Sequence, residues 1–276
     1  MFLWTFRRNE NDVVKLYNTL SPVMQLATGG NMLNFGYWDT CKISPTIAQN
    51  KLCDITGEMA ELYSAKSLLD VGSGLSSPAI KWVSLYPNIE VSCINTNYLQ
   101  LQTAKNLVEE KKLRHSIHEI NSTSTLLPLI KNSFDRIIAL ESAQHFKPFK
   151  HFIFESNRVL KQDGILTFAI PVTAKVSDLK NLGILMFTWS SEHYSKDFVI
   201  KTTSEKFHIV ENVEIGSYVF EPLADYYLKN RKKMQHIILK QYPAYVETVL
   251  HKSILKMKKL SREKIIDYLL LKCIKN

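Results

Sequence analysis

From residue 61 onward, short apolar runs alternate with stretches whose apolar residues recur every three or four positions. The first kind reads as buried parallel strands, the second as helices that cover them. Ser67–Val71 predicts the first strand, residues 89–94 the second and residues 117–120 the third. The strongly apolar Phe134–Leu140 predicts the fourth, and residues 165–170 the fifth. Pro171 is read as the end of that fifth strand, because proline donates nothing to a sheet ladder. Residues 208–215 and 265–271 complete a set of seven. Helices are expected over about 98–112 and over 149–161, the latter stopped by Asp163-Gly164. Pro78 sits just inside another helix, where its missing N–H costs nothing. The first sixty residues read as helices broken at Ser21-Pro22 and at Gly29-Gly30. Such alternation predicts an α/β fold: a doubly wound, seven-stranded, mostly parallel sheet with helices on both faces. The expected organisation is one domain, with a helical cap over 1–60 and a core over 61–276. Helical insertions at about 173–206 and 221–262 would form a lid.

At 276 residues and 31.8 kDa, with 45% hydrophobic and 11% aromatic residues, the chain is long and apolar enough for a sizeable core. No stretch approaches the roughly 20 apolar residues that span a bilayer. The opening MFLWTFRR puts its apolar residues before its charges, the reverse of a secretory signal, so the expected location is cytoplasmic. Cys41, Cys53, Cys93 and Cys273 are scattered, which argues for reduced thiols rather than a disulfide framework or a zinc site. The net charge of +9 is concentrated near the C-terminus, where residues 225–276 hold 13 Lys and Arg against 4 Asp and Glu. A solvated lysine-rich helix face is the ordinary reading of that run. A weak contact with an anionic membrane stays open beside it. Tyr226, Tyr227, Tyr242 and Tyr245 interleave with the basic residues, but no RNA-binding module accompanies them, so nucleic acid is not an expected partner.

The strongest local signal is LDVGSGLSSP at residues 69–78. Glycines at a strand end let the chain turn tightly and let a ligand lie against bare backbone, with the next helix offering free N–H groups. A dinucleotide fingerprint would want a third glycine where Ser77 stands, which disfavours a nicotinamide cofactor. Three further blocks follow the same order as a known family. They are LNFGYWD at 33–39, LPLIKNSFDRIIALESAQHF at 127–146 and RVLKQDGILTF at 158–168. Together with residues 68–80 they make the chain resemble the class I S-adenosylmethionine-dependent methyltransferases, in the branch with sterol, sugar, fatty-acid and polyketide methyltransferases. The likeness in order and spacing runs from about Tyr17 to Lys275.

The resemblance implies S-adenosylmethionine as cofactor, S-adenosylhomocysteine as product, and a role for each matching position. Asp70, Gly72, Ser73 and Gly74 match the loop that holds the methionine part through backbone contacts. Asn95, Thr96 and Gln100 match positions that take the ribose hydroxyls. Thr123 and Ser124 fall where relatives carry an Asp-Ala pair against adenine. Tyr37 and Trp38 match a segment that closes over the cofactor, its tyrosine reaching the methionyl end. Glu141 and His145 belong to the ESAQHF block, with Glu141 taken as a cofactor contact. The resemblance points His145 at the transferring methyl, as general base. Relatives often pair that histidine with an aspartate after the fifth strand. Residues 169–172 here read AIPV, so no acidic partner is expected. No metal is expected. The implied activity is methyl transfer to O, N or C of a small, lipophilic acceptor. Two alternatives are a catalytically impaired scaffold relative, hinted at by Ser76, Ser77 and Thr123, and a lipid methyltransferase that uses the basic C-terminal helices at a membrane.

Overall fold

A computed structural model describes residues 9–40, 42–189 and 191–275. Cys41, one of the four cysteines, lies outside them; the other three are buried, unpaired thiols. The chain order of the described elements is α1 (Glu10–Thr28), α2 (Pro45–Met59), β1 (Ser67–Val71), α3 (Ser77–Leu85), β2 (Glu90–Asn95), α4 (Tyr98–Glu110), β3 (Ile117–Asn121), β4 (Phe134–Leu140), α5 (Phe149–Val159), β5 (Leu160–Thr173), α6 (Leu185–Thr188), α7 (Lys196–Ser204), β6 (Phe207–Glu214), α8 (Gly216–Leu239), α9 (Ala244–Arg262) and β7 (Ile266–Lys275). They form one seven-stranded sheet in the order β3-β2-β1-β4-β5-β7-β6, with β7 antiparallel to both its neighbours. The expected Rossmann-like, doubly wound sheet is therefore present.

Alternation along each strand builds two cores, because successive side chains leave a strand on opposite faces. Leu68, Ile138 and Leu270 pack with Leu52 of α2, Trp82 of α3 and Phe220 of α8 on one face. Leu69, Ile137, Leu269 and Leu271 pack with Phe149 and Phe152 of α5 and Val199 of α7 on the other. All of these side chains are buried. Both faces of the central sheet are covered, so β1, β4 and β5 carry long apolar runs.

Three local expectations are corrected. Helix α1 runs unbroken through Pro22 and stops at Gly29, whose left-handed backbone (φ 76°) caps it. Asp163-Gly164 does not end a helix ahead of β5: α5 already stops at Val159, and the pair forms a bulge within β5, where the pairing jumps from Phe134–Leu160 to Arg136–Ile165. Pro171 does not end β5, which continues to Thr173 against β7. Its place is permissive because β4 pairs only as far as Ala169, so at Pro171 itself β5 is paired with β7 alone. Among the described residues no helix is long and apolar enough to cross a membrane.

Candidate active site

The strand order reverses between β1 and β4, whose following connections diverge and open a crevice beyond their C-terminal ends. Gly72 turns the chain there in a left-handed conformation (φ 77°), and a Cβ on it would stand 2.4 Å from the Ser142 Cβ. The Gly72 and Ser73 N–H groups donate to the Ile94 carbonyl at 2.8 and 3.1 Å. Ser142 Oγ donates to the Val71 carbonyl at 2.6 Å. The loops after β1 and β4 are thus locked together, and the crevice floor is bare backbone.

Gly72, Ser73, Gly74, Asn95, Thr96, Gln100, Ser124, Glu141 and His145 all line this cleft. Four other positions singled out in the sequence do not. Asp70 lies beneath the loop, 2% exposed, and burial pushes its carboxyl up to about 7. Thr123 turns away from the cleft, which Ser122 and Ser124 line instead; its hydroxyl donates to Glu10 Oε1 at 2.5 Å. Tyr37 lies off the cleft, its ring stacked on Tyr218 at 5.1 Å and under the Lys51 ammonium. The reason is the backbone of its own segment: Tyr37 N–H donates to the Ala48 carbonyl, and Trp38 N–H to that of Tyr218. Trp38 faces a neighbouring chamber.

Helix α1 closes the cleft. Glu10, Val13, Val14 and Tyr17, spaced as one helical face, line it. Leu16, Leu20, Val23, Met24 and Ala27 line the adjacent chamber. Polar bonds pin the helix to the cleft rim. Gln100 Nε2 donates to Ser21 Oγ at 2.8 Å, and Asn97 Nδ2 to Asn18 Oδ1 at 2.8 Å. Asn95 Nδ2 donates to Gln100 Oε1 at 2.9 Å and to the Gly74 carbonyl at 3.1 Å, joining this rim to the loop after β1. Tyr17 and Glu10 were not foreseen from sequence. Their signal was the apolar spacing of residues 13, 14, 16, 20 and 23, which becomes informative only once α1 is known to be continuous.

The chamber encloses about 230 Å³ between α1, α6, α8 and α9, and its walls are almost wholly apolar. Tyr17, Leu33, Asn34, Glu141 and His145 line both spaces and form the neck between them. The Tyr17 hydroxyl stands 2.9 Å from His145 Nε2, ring edge to ring face. Glu141, also in the left-handed region (φ 54°), accepts the Phe35 N–H at 2.8 Å and the Tyr268 hydroxyl at 2.9 Å on the same oxygen. Burial pushes its carboxyl up to about 8. No cluster of three or more His, Cys, Asp or Glu side chains that could hold a metal occurs among the described residues.

The cleft fits a sulfonium nucleoside. Bare loop backbone, the Asn95 and Gln100 side-chain amides and the buried Ser124 Oγ, which has no partner among the described residues, are the kinds of group that such a ligand needs. Fold and cleft together define a Rossmann-like enzyme for a nucleoside cofactor. Residues 69–168 match the family described as a methyltransferase domain. The chain is 24% identical to erythromycin 3''-O-methyltransferase of Saccharopolyspora erythraea over 243 residues, 82% of this chain and 78% of that one. A solved mycolic acid cyclopropane synthase complexed with S-adenosylhomocysteine superposes with a TM-score of 0.83 at 16% identity, covering 98% of this chain and 99% of that one. A solved [4+2]-cyclase superposes at 0.82 with 21% identity, covering 97% of each chain. The matched domain and these relatives support a class I S-adenosylmethionine-dependent methyltransferase of the small-molecule branch, with S-adenosylmethionine as the cofactor. The scaffold alternative is not favoured by these relatives.

Proposed function

We propose that the protein methylates a small lipophilic metabolite held in the chamber, with His145 as general base. One observation carries this reading: His145 lines the cofactor cleft and the apolar chamber at once. Bound cofactor supplies a methyl carbon on a positive sulfur. The acceptor's lone pair would take that carbon, and the electrons of its former bond would stay on sulfur. The proton lost by the acceptor passes to His145. Tyr17 helps to fix the imidazole for that task. An aligned base of this kind contributes roughly 10²–10⁴-fold, beside the larger effect of holding the reacting atoms in line.

The cofactor roles proposed are backbone contacts from Gly72, Ser73 and Gly74 to the methionyl end, and Asn95, Gln100 and Thr96 at the ribose. Ser124 and Glu10 stand at the adenine end, where the Glu10 carboxylate replaces the acidic residue that Thr123 does not supply. Asp70 acts from behind the loop, Glu141 as part of the neck, Tyr37 only by holding its strap, and Trp38 as a chamber wall. Lys229, Lys232 and Lys233 of α8 and Lys240 at its C-cap are exposed at spacings that share one face. That face supports a weak, salt-sensitive contact with anionic membranes. The buried thiols suit the cytoplasm. The test is formation of S-adenosylhomocysteine from S-adenosylmethionine over a panel of apolar alcohols, phenols and amines. Turnover that His145→Ala leaves unchanged would remove His145 from the chemistry.

A further inference from the structure

The cleft and the chamber share one carboxyl group. Glu141 lines both spaces, whereas Glu10 lines the cleft alone, and among the described residues no lysine or arginine lines either. Glu141 uses its two oxygens unequally. Oε2 accepts both the Phe35 N–H and the Tyr268 hydroxyl, which turns it toward the wholly buried Tyr268. Oε1 accepts no hydrogen bond from the described residues, yet it is not sealed in. Unlike the unpartnered oxygens of Gln49 and Gln144, which lie out of reach of water, it keeps accessible surface on a part-exposed residue. That surface belongs to the neck, with the cleft on one side and the chamber on the other. Tyr17 and His145 share the neck with it. A carboxylate is costly there by itself, since burial pushes the group up to about 8. A cation against Oε1 offsets that cost, while an anion would meet like charge with no lysine or arginine lining the walls to balance it.

We infer that Glu141 Oε1 pairs with an ammonium group on the methyl acceptor, which makes the acceptor a lipophilic amine methylated on nitrogen. The inference rests on the chamber being the acceptor site. The apolar body of the amine lies among the α1, α8 and α9 side chains, and its nitrogen sits at the neck beside Glu141 and His145. The ammonium gives one proton to His145, the freed lone pair takes the methyl carbon, and the electrons of that carbon's former bond stay on sulfur. The methylated product is again an ammonium, so Glu141 pairs with acceptor and product alike. Glu141 is a specificity residue: it favours an amine over an alcohol of the same shape, and it rejects a carboxylate or phosphate at the neck by like charge.

The full-length protein, loaded with S-adenosylhomocysteine, is titrated at pH 8.5 with n-decylamine, 1-decanol and decanoate. These chains of similar length end in a cation, a neutral donor and an anion. At that pH Glu141 is mostly ionised, and the amine, like a lysine side chain, still carries its proton. Quenching of the tryptophan fluorescence reads the binding, since Trp38 and Trp189 line the chamber. The wild-type chain is expected to bind the amine about ten-fold more tightly than the alcohol, and decanoate about ten-fold more weakly than the alcohol. Glu141→Gln keeps an oxygen for Phe35 and Tyr268 but loses the charge, and is expected to shrink the amine preference to about two-fold or less. A general loss of packing would weaken all three probes together and leave their ratios unchanged. Equal affinity for amine and alcohol in the wild type, an undiminished preference in Glu141→Gln, or binding of no probe would each overturn the inference. The wild-type comparison needs no variant to fold. Binding of S-adenosylhomocysteine, measured first in the same samples, keeps this failure apart from a failure of the methyltransferase reading, in which that ligand itself would not bind.

Discussion

Tyr17 and His145, 128 positions apart in the chain, meet with the phenol oxygen 2.9 Å from Nε2. One comes from the helix that closes the cofactor cleft, the other from the short turn after β4 (Ala143–His145). The contact between the Tyr17 hydroxyl and the imidazole therefore exists only while α1 is seated. His145→Ala is expected to lower kcat by about 10²–10³-fold while S-adenosylhomocysteine affinity changes by less than about three-fold. Tyr17→Phe keeps the ring packing and is expected to cost about ten-fold in kcat. Steady-state kinetics with parallel calorimetric titrations separate the two effects; equal losses in affinity and turnover would instead mark both residues as cofactor contacts.

Gly72 has no room for a side chain, and its backbone is left-handed. Gly72→Ala is expected to push the loops after β1 and β4 apart and to weaken S-adenosylhomocysteine binding by more than about ten-fold. Adding Ser142→Gly removes the carbon that the new Cβ would strike. Calorimetry on the double variant should recover part of the lost affinity, and no recovery would mean that the left-handed backbone, not the contact, sets the cost.

Burial raises Glu141 to about 8 and Asp70 to about 7, well above ordinary carboxylates. The folded state therefore holds these protons more tightly than the unfolded chain. Their contribution to stability is fully present below the unfolded pKa, near 4, and is lost as pH rises through the folded values. Without cofactor, the melting temperature should fall by on the order of 5 °C between pH 6 and pH 8.5. Glu141→Gln retains an oxygen for Phe35 and Tyr268 and should flatten most of that slope. Thermal melts across this range decide it; a slope identical to wild type would place the titration elsewhere.

Glu10 lines the cleft beside Ser122 and Ser124 and accepts the Thr123 hydroxyl. Glu10→Gln is expected to weaken adenosine and S-adenosylhomocysteine by a similar factor, about five- to twenty-fold, because a charged acceptor is lost at the nucleoside end. Methionine binding should not change. An effect on the whole cofactor without an effect on adenosine would move Glu10 out of the adenine end.

The sheet was legible because its signals are local. Residues 67–71 and 134–140 are apolar runs of strand length, and five of the seven strands lie within about a residue of their expected bounds. The two proline readings failed for different reasons. Pro171 has a sheet neighbour on one side alone, which the sequence does not announce, whereas Pro22 deprives the Asn18 carbonyl of its helical donor, a cost offset by the packing of α1 over the cleft and chamber. Glycine at 72 was informative because its demand for a left-handed turn is a property of the residue itself, and Gly72, Ser73, Gly74, Asn95 and His145 duly fall on the cleft. Tyr37 was misplaced because the strap's direction is set by bonds to Ala48 and Tyr218, far from it in the chain.

Sequence by itself thus determined the layers, the strand-end loop and the family, since periodicity, turn chemistry and motif order are written along one dimension. Tertiary structure decided the rest. It chose which face of α1 meets the cleft, and it brought Tyr17 to within 2.9 Å of His145. Those outcomes depend on packing between distant segments, where a polar atom's worth is fixed by the partners that burial permits it.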